Sequence, residues 1–127
     1  MPKIKVAFFK DEDENVLALD WLDKLSNRAR RKCLTRLELL EELGHEIRRP
    51  AGDYLRDGIY ELRAGSEGIH NRMLYFFYGT MLVVVSHGIK KEKEVPPKEI
   101  ERAVCSKKIF ESEPERFSFN WSQSHGK

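Results

Sequence analysis

The sequence is poor in several things at once. Only two of its 127 residues are cysteines, Cys33 and Cys105. They are far apart in the chain, each in a helix-like pattern and neither with a second thiol at metal-ligand spacing, so they read as free thiols in a reducing compartment. That points to the cytoplasm. Long apolar runs are missing too. The apolar stretch in MPKIKVAFFKDEDEN is too short for a signal-peptide core, and no run approaches the ~18 residues that span a bilayer. A bulk charge of one sign is also lacking: 23 Lys and Arg stand against 21 Asp and Glu, a formal net charge of +2. Any attraction to nucleic acid must therefore come from how the cations cluster. There is no internal repeat and no low-complexity segment.

What is present fits one globular domain with a single modest core, since 40% of the residues are hydrophobic. KIKVAFFK, residues 3–10, has the β-branched and aromatic content of a strand, and the acidic DEDEN after it suits a helix N-terminus. A first helix is expected over about 14–25, with Ala18, Trp21, Leu22 and Leu25 forming one apolar stripe. Ser26 or Asn27 can cap a second helix over about 28–43. Its inner face would carry Cys33 or Leu34, Leu37, Leu40 and Leu43, with Gly44 as C-terminal cap. Three strand-like runs follow at 59–64, 71–78 and 81–88. Pro96-Pro97 opens a last helix over about 98–111, because proline is tolerated only in a helix's first turn. The fold class is α+β: an N-terminal strand, a two-helix hairpin, an antiparallel sheet packed on the helices and a C-terminal helix. Residues 1–111 are expected to form this domain, and 112–127 a flexible tail with Phe117, Phe119 and Trp121 as one docked aromatic patch.

The chemistry gathers at one end of the sheet. Only Gly79 and Thr80 separate the strands ending at Tyr78 and beginning at Met81, which suits a two-residue type II′ turn. Residues whose numbers sum to 159 should then face each other, placing Arg72 opposite His87 and Arg63 near Arg72. Alternation puts Glu61, Arg63, Arg72 and His87 on one face, with Leu74, Phe76, Val83 and Val85 nearer the turn. Tyr60, Leu62, Met73, Tyr75, Phe77, Leu82 and Val84 would then form the apolar face under the two helices. Lys90 and Lys91 continue from the cationic end.

Two guanidiniums, two ammonium groups and an imidazole can bind a phosphodiester, and an arginine fork can stabilise the charge of its pentacoordinate transition state. No carboxylate cluster is spaced for Mg²⁺ and no His/Cys set for zinc, so neither a metal nor another cofactor is expected. Cleavage would use the 2′-hydroxyl of RNA as nucleophile. His87 is the natural proton-transfer residue and Glu61 a second candidate. Blander readings exist for each: a hydrogen-bonded structural His87, a surface pair of Glu61 with Arg63 worth little, and a solvated helix face for RARRK at 28–32.

The segment YLRDGIYELRAGSEGIHNRMLYFFYGTMLVVVSHGIKKEKEVPPKEIERAV, residues 54–104, resembles the phage-derived, HigB-like branch of the RelE/ParE toxin superfamily. The likeness lies in DGIYELR, RMLYFF after a variable loop, HGIKK, and P-KEIERA opening the last helix, with LLEELG upstream. It implies a RelE-like domain related to small microbial RNases. The activity implied is that of a ribosome-dependent mRNA endonuclease that halts translation, neutralised by a co-expressed antitoxin, commonly a helix-turn-helix DNA-binding protein. On this resemblance Arg63, Arg72 and Lys91 hold the scissile phosphate with His87 beside them, while Lys90, Glu61 and Lys93 contact RNA. The chain departs from some relatives in having Pro96 and Pro97 where they carry a tyrosine, and Glu61 where they carry lysine. The alternatives are a non-catalytic module that inhibits a protein such as DNA gyrase, as ParE-like members do, and a phage-derived regulator that has lost toxicity.

Overall fold

The structure, a computed structural model, describes residues 4–66, 68–90 and 93–124. The chain runs β1 (Lys5–Phe9), α1 (Leu17–Asp23), α2 (Asn27–Leu43), β2 (Gly52–Arg56), β3 (Ile59–Ser66), β4 (Ile69–Tyr78), β5 (Leu82–Lys90), α3 (Pro97–Ser112), β6 (Ser118–Phe119) and α4 (Trp121–Ser124). It is a mixed α+β fold of the expected kind. The signals of α2 and α3 act where the sequence put them, whereas α1 is shorter than the expected 14–25: it begins after Val16 with no side-chain cap, and the acidic stretch forms a turn in which Asp11 Oδ1 accepts from the Asp13 and Asn15 N–H groups. Ser26 Oγ accepts from the Ala29 N–H at 3.2 Å, Gly44 closes α2 with φ +52°, and Pro97 stands in the first turn of α3. Cys33, Leu37 and Leu40 are buried as expected, but Leu43 is 40% exposed because the helix ends there and the chain turns away.

Two strands enlarge the expected sheet. In the order β2-β3-β4-β5-β1-β6, β1 lies parallel to β5 and β6 antiparallel to β1, so the sheet is mixed. β2 is an edge strand joined to β3 through Asp57-Gly58, both at positive φ, the left-handed pair that a tight hairpin turn demands. The stretch after 112 docks its aromatic patch: Phe117 and Trp121 are buried and Phe119 stacks on Phe8. It thereby becomes part of the sheet, with Ser122 Oγ accepting from the Val6 N–H at 2.8 Å.

The sheet separates two cores. On one face α1 and α2 cover Val6, Phe8, Leu62, Met73, Tyr75, Val83 and Val85. On the other, α3 covers Phe9, Ile59, Leu74, Phe76, Val84 and Ile89. The two-residue turn at Gly79-Thr80 is a correction. Tyr78 pairs with Leu82, so Met81 belongs to the loop and the register sum is 160. Val83 and Val85 therefore lie under α1 and α2, and Val84 under α3, the reverse of the expectation. A bulge between the Tyr75–Val85 and Leu74–His87 pairs then inserts Ser86. Ser86 and His87 both reach α3, where they meet Ser106 and Glu99. The slip and the bulge cancel: His87 shares the face of Arg72 after all, but Arg72 stands opposite Ile89 and His87 opposite Leu74.

Candidate functional site: a cleft around Glu61, Arg63 and Arg72

Arg63 and Arg72 are directly opposed on β3 and β4. Two like charges at such a pair would repel, and Glu61, two residues along on the same face, lies between them. Glu61 Oε2 accepts from Arg63 Nε at 3.1 Å and Nη2 at 2.7 Å. Its Oε1 is 3.2 Å from Arg72 Nη1, close enough for an ion pair but not aligned as a hydrogen bond, so Oε1 is buried without a hydrogen-bond partner. The Glu61 side chain is only 3% exposed and that of Arg72 11%, against 36% for Arg63. The hydrogen bond from Glu61 raises Arg63 above the ordinary guanidinium value, against the opposing effect of burial. A buried carboxylate held by two guanidiniums is a costly arrangement to form and a rigid one once made.

These three side chains line an open cleft of about 390 Å³, which His70, Lys93 and Glu94 join over an apolar rim of Leu55 and Val95. Arg63, Arg72 and Lys93 thus stand beside two carboxylates, Glu61 and Glu94. The cleft can bind an anion at the arginines, while Glu61 Oε1 lies buried beneath them.

The remaining candidates from the sequence fall elsewhere. Lys91 lies outside the described residues. Lys90 pairs with Asn71 one position beyond Ile89, so alternation sends it to the face of α1 and α2, away from the arginines. His87 is buried and does not line the cleft. Its Nε2 lies 3.0 Å from Glu99 Oε1 and its Nδ1 2.8 Å from Ser86 Oγ. Arg102 Nη1 donates to the same Glu99 oxygen at 3.1 Å. Burial and the charge of Arg102 pull His87 below the usual histidine range, only partly countered by Glu99. Burial pushes Glu99 up, but His87 and Arg102 outweigh it and leave it below the ordinary carboxylate value. Nε2 faces the Glu99 carboxylate and Nδ1 faces Ser86 Oγ, which in turn donates to Ser106 Oγ at 3.0 Å. This network ties β5 to α3.

Sequence reasoning passed over His70 in the cleft and Asp53 at its edge. The signal for His70 was available, since it precedes Arg72 by two on the same strand face. Asp53 belongs to β2, which was read as loop; its Oδ2 lies 2.8 Å from Arg49 Nη2 and 3.8 Å from Arg63 Nη2. Among the described residues no group of three or more His, Cys, Asp or Glu side chains is arranged to hold a metal ion, and no helix is long and apolar enough to cross a membrane.

Residues 20–108 match the family described as "Phage derived protein Gp49-like (DUF891)", over more than two thirds of the chain. The chain belongs to the Gp49-like family. This is a RelE/toxin-like family, and the sheet with its N-terminal helices and C-terminal helix is consistent with the RelE-like fold. Gp49-like membership is compatible with a toxin-like module. No curated protein matches the chain.

Proposed function

We propose that this Gp49-like protein is the toxin of a type II toxin–antitoxin pair, of the HigB-like branch, and an endoribonuclease that cuts mRNA on the ribosome in the cytoplasm. The observation that carries the reading is the buried Glu61 held between Arg63 and Arg72 in an open cleft, its Oε1 without a hydrogen-bond partner. In the proposed reaction the scissile phosphate lies against the two guanidiniums. As the phosphate draws the Arg72 guanidinium away from Glu61 and uncovers Oε1, Glu61 takes the proton of the adjacent 2′-hydroxyl, whose oxygen attacks phosphorus. The pentacoordinate intermediate carries an extra negative charge, which Arg72 and Arg63 stabilise. The P–O5′ bond then breaks, the leaving oxygen taking a proton from His70, and a 2′,3′-cyclic phosphate and a 5′-hydroxyl result. Lys93 supplies a further phosphate contact. His87 is reassigned from base to a positioning residue that holds α3 over β5. The antitoxin is read as a co-expressed helix-turn-helix protein that closes the cleft or displaces α3.

The test is induced expression with mapping of mRNA 5′ ends. In-frame cuts with 5′-hydroxyl ends are expected in the wild type. Arg72→Ala should lower cleavage by roughly 10²- to 10³-fold and Arg72→Lys recover only part, because a single ammonium cannot replace the fork. Intact mRNA under growth arrest would sink the enzyme reading and favour a non-catalytic inhibitor, and a fully active Arg72→Ala protein would remove the assigned site.

A further inference from the structure

A second hollow, of about 520 Å³, opens where the chain leaving α2 passes β2, lined by His45, Arg48, Arg49, Asp53, Tyr54 and Tyr60. We propose that it is a base-stacking subsite for single-stranded nucleic acid, taking one nucleobase of the strand whose phosphate occupies the Glu61–Arg63–Arg72 cleft. The direction of the strand rests on the phosphate reading of that cleft; the stacking itself does not.

Tyr54 is 53% exposed, the largest value among the exposed large hydrophobic residues, yet its ring is held. It meets Tyr60 edge-on at 5.0 Å, and Tyr60 stacks on the buried Tyr75 at 5.3 Å. On the far side His45 lies flat on Phe77 at 3.7 Å and 15°, and Phe77 meets Tyr60 edge-on at 5.1 Å. The hollow is thus bordered by rings anchored in the core, which lose little freedom when a planar ligand arrives. Its cations are fixed as well. Arg48 Nη1 donates to the carbonyls of His45 and Ile47 at 3.0 and 3.1 Å, and Arg49 Nε donates to Asp53 Oδ2 at 2.8 Å.

Rings and guanidiniums with Ile47 as the single aliphatic wall suit a flat heterocycle on an anionic backbone better than an aliphatic peptide side chain. Base–aromatic stacking with arginine support is the usual sequence-tolerant mode for single strands. One side chain lies between the hollow and the cleft. Asp53 bridges Arg49, on the side of the hollow, and Arg63, on the side of the cleft. A strand passing round the β2 edge would exchange these ion pairs for phosphate contacts.

The experiment measures anisotropy of two labelled six-nucleotide probes that lack the 2′-hydroxyl and cannot be cut by the proposed reaction: hexadeoxyadenylate and an abasic deoxyribose-phosphate of the same length. Wild type should bind the adenylate about 5- to 100-fold more tightly than the abasic strand. Tyr54→Leu should abolish that preference while leaving abasic binding unchanged. Tyr54→Phe should keep it. Because Tyr54 Oη accepts from the Gly58 N–H at 3.1 Å, the melting temperature of each variant separates turn damage from lost stacking. Arg72→Ala should weaken both probes alike. Equal binding of the two probes by wild type, or a Tyr54→Leu protein that keeps the preference, overturns the subsite and leaves the cleft untouched. An Arg72→Ala protein that binds like wild type while Tyr54 still matters overturns the phosphate cleft and leaves the subsite standing.

Discussion

At the scale of single residues, the protein shows how burial can reverse a functional reading. His87 carries the side chain best suited to proton transfer near neutral pH, but its nitrogens are committed to Ser86 and Glu99 under α3. Its effect should appear in stability. An unfolded histidine takes up a proton near pH 6.5, whereas folded His87 does so only at lower pH. The unfolded state therefore binds more protons between those two values, so this contribution is complete above pH 6.5 and declines as the pH falls below it. Glu99, held below 4.5, contributes stability present above that value and lost at more acidic pH. Melting temperatures between pH 7.5 and 5.5 should fall for the wild type and flatten in His87→Gln; an unchanged slope in the variant would assign the titration to other groups. Cys33 illustrates the same force more simply: burial pushes its thiol up to about 12, so alkylation of the folded protein should modify the exposed Cys105 and spare Cys33.

At the scale of elements, the glycine with the least room for a side chain among the described residues is Gly88, where β5 passes α1. A Cβ placed on Gly88 would come within 2.2 Å of a Trp21 ring carbon. Gly88→Ala should therefore cost about 1–3 kcal/mol or more, read by urea unfolding, and Trp21→Leu should relieve much of that cost in the double variant. How much was legible follows from the elements themselves. The helices were readable because periodicity and caps agree, as at Ser26, Gly44 and Pro97. Arg63, Arg72 and Glu61 could be brought together because β3, β4 and their pairing are regular from Tyr60 to Ser66. β5 was misread at both ends, because neither a third loop residue nor an extra strand residue leaves a mark in a run of valines. β2 was missed because GDYLR is short and half polar, and β6 because two residues are too few to show a pattern.

At the scale of the whole molecule, the sheet treats its two edges differently. The β1 edge is closed by β6 and α4, with Phe8, Phe119 and Trp121 in a stack of rings 6.1 Å apart and Ser122 Oγ donating to Glu41 Oε2 at 2.6 Å. Ser122 thus ties the segment after 112 to α2 as well as to β1. Trp121→Ala should cost about 3–5 kcal/mol, typical of a buried tryptophan, and uncovering the β1 edge should promote self-association. Chemical unfolding together with size-exclusion chromatography would check both; a monomer of unchanged stability would show that the closure contributes nothing. At the opposite end of the sheet β2 is the last strand, beside the cleft and the aromatic hollow.

The bulge at Ser86 has a consequence for how this chain tolerates changes in length. Removing one residue from a central strand ordinarily sends every later side chain to the wrong layer. Here strand parity is already interrupted, so deleting Ser86 would leave Leu74 opposite His87 and Arg72 opposite Ile89 while restoring an unbroken alternation. We expect the Ser86 deletion to fold, at the cost of one hydroxyl from the network beneath α3, and the deletion of Val84 two residues earlier to fail. Circular dichroism and a melting curve of the two proteins would tell them apart. At Ser86 the length of the strand and the identity of its faces are uncoupled.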